Sequence, residues 1–238
     1  MQTRDVDYRC EEANLRGYLA WNESPEPRPG VLVFHEGLGL GDFAMERARR
    51  LAGLGYVALA ADMFGERRQA RNLQEVATLV GGLRAEPAKL RARGRAALET
   101  LASLPQVDAQ RLVAIGFCFG GSVVLELARA GADLKAVVSF HGVLATKMPA
   151  VPGQVKASVL VLTGADDPLA PPEQVRAFED EMRAAQVRDW QVISYGNTLH
   201  GFTNPAADGS MMRTALYSEQ ADRRSWAAMR SLLEEAFR

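Results

Sequence analysis

A cysteine flanked by two glycines is the residue of this chain best suited to chemistry. Cys118 stands in the pattern Gly116-x-Cys118-x-Gly120, directly after the apolar run from Leu112 to Phe117. This spacing matches the sharp strand-to-helix turn that presents a nucleophile, usually a serine, to a substrate. A side chain at either glycine would collide with neighbouring backbone in so tight a turn. The start of the following helix favours a thiolate, so we predict that Cys118 is a nucleophile.

Two other interpretations of this segment remain open. A small buried cysteine beside packing glycines is common in α/β cores, so Cys118 can instead be a core residue. Ser122 can be the nucleophile in place of Cys118, although it falls in the first turn of the following helix, away from the tip of the turn.

A carboxylate and a histidine follow Cys118 in the chain order that such a site requires. Asp167 comes after the apolar run Val159 to Thr163, in a loop where it can orient an imidazole. We favour Asp167 over Asp166, because the residue before a proline is biased toward extended backbone, whereas Asp166 suits a turn. His200 follows the last predicted strand and suits proton transfer near neutral pH. The alternative is that these side chains only shape their loops.

The other two histidines carry weaker signals. His35 directly follows a strand, and we expect it to be a structural hydrogen-bonding residue. His141 follows the run Ala136 to Phe140, and both a pocket-lining and a structural role are open for it. The histidines lack the helical His-x-x-x-His spacing of a zinc site, so we predict no metal. Neither Gly-x-Gly-x-x-Gly nor a Walker loop occurs, so no nucleotide cofactor is predicted.

Composition limits the class of protein. The 238 residues are 47% hydrophobic and 24% charged, which predicts a single domain over residues 1–238. A formal net charge of -1 provides no basic excess for nucleic acid. The first residues lack the apolar core of a signal peptide, and the apolar runs are too short for a membrane span. The two cysteines, Cys10 and Cys118, form no disulfide framework, so a reducing cytoplasm is predicted.

Strand and helix patterns alternate along the chain. Buried strands are predicted at Gly30–Phe34, Tyr56–Ala60, Leu112–Phe117, Ala136–Phe140, Val159–Thr163 and Trp190–Tyr195, after a hairpin of Val6–Cys10 and Leu15–Trp21. The first helix is predicted from Phe43 to Leu54, with Asp42 as its cap. The helical region after the strand Tyr56–Ala60 is predicted to break near Gly81-Gly82 and to restart at Pro87. Two further helices are predicted over Gly120–Ala130 and Pro172–Ala185. A terminal helix carries the apolar stripe Trp226, Met229, Leu233 and Phe237.

This alternation predicts an α/β fold. A mostly parallel central sheet should be covered by helices on both faces, and ligands should lie beyond the carboxyl ends of its strands. With the nucleophile, acid and histidine in this order, we predict an α/β-hydrolase fold without a large lid.

Five motifs together resemble the dienelactone hydrolase family, and the resemblance covers almost the whole chain. They are His35-Glu36-Gly37-Leu38-Gly39, Ala61-Asp62-Met63-Phe64-Gly65, Gly116-Phe117-Cys118-Phe119-Gly120-Gly121, Gly164-Ala165-Asp166-Asp167 and His200-Gly201-Phe202. The resemblance implies a catalytic triad of Cys118, His200 and Asp167.

The resemblance also implies roles that the residues alone do not establish. Glu36 would meet the resting thiol and help to activate it when substrate arrives; without the resemblance, it reads equally well as a solvent-facing loop carboxylate. The backbone N–H groups of Gly37 and Phe119 would form the oxyanion hole. Side chains that are candidates for the pocket wall are Leu38, Phe64, His141 and Phe202.

One position departs from the family pattern. Members that act on dienelactone carry an arginine four residues after the catalytic histidine, which holds the substrate carboxylate, and here that position is Asn204. If this substrate carries a carboxylate, another group must hold it. The arginines in question are Arg67, Arg68, Arg71, Arg84, Arg91 and Arg95, for which a solvated helix face is the simpler interpretation.

The predicted function is hydrolysis of a small ester or lactone. A thiolate is a good nucleophile and a good leaving group, and an ester oxygen leaves more readily than an amine. The alternative is a non-catalytic small-molecule binding module on a hydrolase fold. A monomer and a small homo-oligomer are both compatible with the sequence.

Overall fold

The computed structural model of the chain describes all 238 residues. The strands are β1 (Gln2–Cys10), β2 (Ala13–Trp21), β3 (Arg28–Phe34), β4 (Val57–Ala61), β5 (Val107–Phe117), β6 (Ala136–Phe140), β7 (Ser158–Gly164) and β8 (Trp190–Tyr195). The helices are α1 (Asp42–Gly53), α2 (Leu73–Ala85), α3 (Pro87–Ala102), α4 (Phe119–Arg129), α5 (Pro172–Ala184) and α6 (Glu219–Ala236). None of the helices is long and apolar enough to cross a membrane.

All eight strands form one sheet, in the order β1-β2-β4-β3-β5-β6-β7-β8. The hairpin β1–β2 is antiparallel and joins β4 in antiparallel orientation, whereas β3 to β8 are mutually parallel. In the register, Phe34 pairs with Gly116 and Phe117 pairs with Phe140. The loops after β3, β5 and β6 therefore leave the sheet at the same level and meet at its carboxyl edge.

Two apolar cores lie on the two faces of the sheet. On one face, α1 and α6 bury side chains such as Leu51 and Met229 against β3 to β7. On the other face, α2 to α5 contribute Leu83, Val123 and Phe178, among others. Helices on both faces of a mostly parallel sheet are the predicted α/β-hydrolase architecture, which is confirmed.

Two local predictions were wrong, and a third was off by one residue at a helix end. Asp42 is the first residue of α1 and not its cap, because Gly41 takes the cap position without a side-chain bond. α2 continues through Gly81-Gly82 and ends at Ala85. The break falls at Glu86, because a residue before proline is disfavoured in helical backbone. Phe237 lies just beyond the end of α6, where its ring packs 5.6 Å from that of Tyr56.

A buried ion cluster holds the long loop between β6 and β7. The guanidinium of Arg129 is 2% exposed and bonds to Glu126 at 3.0 Å and to Glu181 at 2.8 Å. It also donates to the carbonyl of Leu144 at 2.7 Å, while Glu181 accepts from the backbone N–H of Ala150 at 2.8 Å. The cluster thereby fixes loop backbone to α4 and α5.

Candidate active site

Cys118 occupies the turn between β5 and α4. Its backbone has φ 52° and ψ -111°, a left-handed φ that is unusual for a residue with a side chain. A Cβ at Gly116 would overlap the carbonyl of Gly120, and a Cβ at Gly120 would overlap the carbonyl of Phe34. Both glycines are therefore required where β5, β3 and α4 come together. The turn leaves the Cys118 side chain partly exposed at the carboxyl edge of the sheet.

Asp167 and His200 meet at the same edge. Nδ1 of His200 lies 2.8 Å from Oδ2 of Asp167, and both side chains are buried. The other oxygen of Asp167 accepts the backbone N–H of Leu169 at 2.8 Å, which fixes the carboxylate. Gly164, at the end of β7, lets the two loops approach, because a Cβ there would overlap the carbonyl of Thr198. The neighbouring Asp166 is exposed and does not contact the imidazole.

The thiol of Cys118 interacts with the imidazole of His200. Burial would raise the pKa of Cys118, but the charge of His200 outweighs it and the net pKa is lowered. Burial would lower the pKa of His200, but the thiolate and Asp167 raise it to about 10. Nε2 of His200 is buried and makes no hydrogen bond of standard geometry, so this contact is looser than the one to Asp167. The arrangement favours a thiolate–imidazolium pair.

The two backbone N–H groups expected to form an oxyanion hole, those of Gly37 and Phe119, lie in the loop after β3 and at the start of α4. The N–H of Gly37 points toward Cys118 and contributes to the lowered pKa of the thiol. Phe119 is the first residue of α4, where N–H groups have no acceptor within the helix. These groups come from the ends of β3 and β5, next to the atom that would attack. They can stabilise negative charge on an oxygen that develops beside the sulfur.

Glu36 is held by the residue that departs from the family pattern. The side-chain amide of Asn204 donates to Oε2 of Glu36 at 2.7 Å. Burial raises the pKa of Glu36, and the Asn204 bond and the charges of His200 and Arg47 offset this only in part. The carboxylate also acts on Cys118, whose pKa it raises. Nothing in the sequence indicated the Asn204–Glu36 bond, which joins positions 168 residues apart.

Arg84, one of the six candidate arginines of the sequence, lies close enough to Cys118 for their charges to interact. Its Nη2 donates to Oγ of Ser122 at 3.0 Å, and it forms no ion pair with a carboxylate. Burial lowers the pKa of Arg84, while the charge of Cys118 acts in the opposite direction. The Ser122 hydroxyl donates to the carbonyl of Val143 at 2.9 Å. Arg84, Ser122 and Lys147 line a cavity of about 270 Å³.

Three of the other candidate arginines have a carboxylate partner, whereas Arg68 and Arg95 form no ion pair and are exposed. Arg67 pairs with Asp5, and Arg71 pairs with Glu75 on the surface. Arg91 pairs with Glu126, within the buried cluster of Arg129. The charges of Arg67, Arg71 and Arg91 are therefore already compensated, in contrast with that of Arg84.

The remaining candidates are His35 and the predicted pocket residues. His35 is fully buried, and its Nε2 accepts the backbone N–H of Met63 at 3.2 Å, as expected of a structural residue. Of the predicted pocket residues, Leu38 is partly exposed, whereas Phe64 and Phe202 are buried.

His141, the fourth predicted pocket residue, is also buried. Its ring packs edge-to-face at 5.1 Å from each of the rings of His200 and Phe202.

Other reactive groups are separate from this site. The pKa of Cys10 is raised by burial and by Glu11, so its thiol is a poor nucleophile. No group of three or more His, Cys, Asp and Glu side chains is arranged to hold a metal ion.

This chain is similar in sequence and in structure to known proteins. The model of the dienelactone hydrolase family matches residues 15–237. The solved structure of m3DLH is 46% identical, with a TM-score of 0.93, and the match covers 99% of this chain and 98% of that one. The dienelactone hydrolase-like promiscuous phosphotriesterase P91, from metagenomic libraries, is 44% identical with a TM-score of 0.91 and the same coverage.

A curated relative supports the same assignment. An Escherichia coli (strain K12) protein provisionally named a carboxymethylenebutenolidase is 29% identical over 199 residues, which are 79% of this chain and 73% of that protein. The chain therefore belongs to the dienelactone hydrolase family and is a carboxylic ester or lactone hydrolase.

Proposed function

We propose that Cys118, His200 and Asp167 form a catalytic triad that hydrolyses small carboxylic esters or lactones through an acyl-enzyme. The observation that carries this proposal is the placement of His200. Its Nδ1 is bonded to Asp167, and its buried Nε2 has no hydrogen-bond partner of its own while its charge lowers the pKa of the adjacent thiol. Such an imidazole is oriented to exchange a proton with the groups that react at the sulfur.

The reaction follows from these positions. The thiolate of Cys118 attacks the acyl carbon, and the N–H groups of Gly37 and Phe119 stabilise the oxyanion. His200 gives its proton to the leaving alkoxide as the thioester forms. It then takes a proton from water, which attacks the thioester; the sulfur leaves as thiolate, the acid is released, and the thiolate–imidazolium pair is restored. Asp167 keeps the imidazole in the tautomer that both steps need.

Glu36 and Asn204 regulate the charge next to the sulfur in this proposal. The Glu36 carboxylate raises the pKa of Cys118, so it opposes the thiolate in the resting enzyme. A substrate that displaces Glu36 from the sulfur would relieve this repulsion and increase the nucleophilicity of Cys118. Asn204 sets the resting position of the carboxylate through its 2.7 Å bond.

The preferred substrates carry an anionic group in this proposal. Arg84 is a partly buried cation without a carboxylate partner, and its charge interacts with that of Cys118. Lys147 adds a second positive charge on the cavity that Arg84 lines, and the one carboxylate there, Glu126, is already paired with Arg91 and Arg129. A substrate carboxylate would give Arg84 the counterion that it lacks. Arg84→Gln should raise KM for an ester with a carboxylate and leave KM for a matched neutral ester within about twofold. Equal effects on both esters would exclude this role.

The activity test compares Cys118→Ala with the parent on a panel of small activated esters and lactones. The parent should show a burst of alcohol release followed by slower turnover, and Cys118→Ala should show neither. Cys10→Ala is the matched control, because it removes the other thiol without touching the triad. Undiminished turnover by Cys118→Ala would refute the assignment. The proposal places the enzyme in a reducing compartment such as the cytoplasm, where the thiol stays active.

A phosphotriesterase side activity is a second candidate, favoured by the 44% identity to P91 over 99% of this chain. Attack of the same thiolate on phosphorus would expel an aryl oxide, with the developing charge held by the same N–H groups. A 4-nitrophenyl dialkyl phosphate tests it. Release of 4-nitrophenolate by the parent and not by Cys118→Ala supports this candidate, and no release by the parent excludes it.

A further inference from the structure

His141 contacts both the nucleophile and the loop of the base. Its Nδ1 lies 3.1 Å from the backbone nitrogen of Cys118, and its Nε2 lies 2.8 Å from Oγ1 of Thr203, three residues after His200. Its ring is fully buried and packs against the His200 ring. One side chain therefore joins the two loops that must stay aligned for proton transfer between sulfur and imidazole.

The neighbours of the ring define its protonation. An N–H group faces Nδ1, so Nδ1 must accept, and the ring proton resides on Nε2, which donates to Thr203. Burial, and the positive charges of His200 and Arg47, keep the pKa of His141 well below its usual value. His141 is therefore neutral and does not compete with His200 for a proton.

The backbone of the nucleophile needs such support. Cys118 adopts a positive φ, which persists in a side-chain-bearing residue only when its surroundings enforce it. Its N–H is shared between the carbonyl of Phe140 at 3.0 Å and the imidazole of His141. The far end of the link is also fixed, because the carbonyl of Thr203 accepts from the guanidinium of Arg47.

We infer that His141 is a positioning residue, which holds the backbone of Cys118 and the Thr203 segment of the His200 loop in register for proton transfer. This inference rests on the proposed triad. His141 acts through the positions of Cys118 and His200 and makes no bond to substrate.

Four variants in a Cys10→Ser background test the link. His141→Phe keeps an aromatic ring and removes both bonds. His141→Asn keeps an acceptor near the place of Nδ1 and tolerates the positive φ of this position, which is 39°. Thr203→Val removes the hydroxyl that Nε2–H meets, and Thr203→Ser restores it. Ser139→Ala is the matched control, since it deletes a buried hydroxyl on β6 that has no hydrogen-bond partner.

Two readouts are measured for each variant: the acylation rate in the burst with 4-nitrophenyl acetate, and the pH dependence of Cys118 alkylation by iodoacetamide. His141→Phe should slow acylation about 10- to 100-fold, because small misalignments of reacting groups have effects of this size. Its alkylation midpoint should move to higher pH, because the sulfur loses contact with the imidazolium. KM should stay within about threefold, since no substrate bond is lost.

The conservative variants give the sharper comparison. His141→Asn keeps only the bond to Cys118, so it should lose about 10-fold, like Thr203→Val, and less than His141→Phe, whereas Thr203→Ser should stay within about twofold of the parent. Ser139→Ala should match the parent in both readouts. If His141→Phe does not fold, the Thr203→Val and Thr203→Ser pair decides the question alone.

The inference is overturned if His141→Phe, or Thr203→Val in its place, acylates and alkylates like the parent. It is also overturned if the alkylation midpoint stays constant while activity falls with melting temperature, which is what a merely structural role predicts. Failure of the proposed function gives a different result. The parent would then alkylate rapidly at Cys118 yet hydrolyse no ester, while the alkylation midpoints still report on His141.

Discussion

Replacing Asp167 with asparagine changes one acceptor oxygen of the triad into a donor while keeping its shape. The two carboxylate oxygens each accept one bond, from Nδ1 of His200 and from the backbone N–H of Leu169, both at 2.8 Å. Asparagine offers only one acceptor, so one of these donors loses its partner. If the amide N–H₂ faces Nδ1, the imidazole proton must move to Nε2, and His200 can no longer accept a proton at the atom next to Cys118.

The expected cost follows from this wrong tautomer. We expect kcat to fall about 10³- to 10⁴-fold, which is the loss expected when the imidazole of a triad carries its proton on the wrong nitrogen. This loss corresponds to about 4 to 5.5 kcal/mol of transition-state stabilisation. The fold should survive, because an unmet hydrogen bond at a buried site costs only about 1 to 3 kcal/mol.

The assay is steady-state hydrolysis of a small activated ester, with circular dichroism to verify folding. Asp166→Asn is the matched control, because Asp166 is the exposed neighbour and does not contact His200. It should retain the parental kcat within about twofold. A folded Asp167→Asn enzyme with kcat within tenfold of the parent would refute the assigned role of Asp167.

Three further predictions concern reactivity and stability. Iodoacetamide should label Cys118 well before Cys10 at pH 7, because the pKa of Cys118 is lowered and that of Cys10 is raised; equal rates, measured by peptide mass spectrometry, would contradict this. Gly116→Ala should lower the free energy of unfolding by about 3 kcal/mol or more, since its Cβ would overlap the Gly120 carbonyl, and a parental urea midpoint would argue against the tight turn. Arg129→Ala should cost about 3 to 5 kcal/mol in the same experiment by leaving Glu181 without a cation and Glu126 with Arg91 alone, and a loss below about 1 kcal/mol would contradict the cluster.

The sheet was predictable because its signals are local. The buried strands read as continuous apolar runs, and the glycines around Cys118 mark a turn that few other residues permit. The break between α2 and α3 was misplaced, because two glycines were given more weight than the residue before Pro87. The prediction that Asp42 caps α1 was wrong by one residue, because Gly41 occupies the N-cap position.

The contacts around the triad could not be predicted from local patterns in the sequence. The bond between Asn204 and Glu36, the position of Arg84 beside the thiol, and the link of His141 to Thr203 all join distant parts of the chain. The first and third pairs meet because parallel strands end at one edge of the sheet, and Arg84 reaches Ser122 from α2 to α4. Spacing in the sequence identifies which loops converge there, but it does not specify which side chains pair.

The most direct test of the account is the identity of the residue that becomes acylated. The enzyme is mixed with a small activated ester, quenched in acid during the burst, digested and analysed by peptide mass spectrometry. The account predicts one acyl group on the peptide that contains Cys118, attached to the sulfur and absent from Cys118→Ala. An acyl group on Ser122, or full turnover with no covalent intermediate on Cys118, would contradict it.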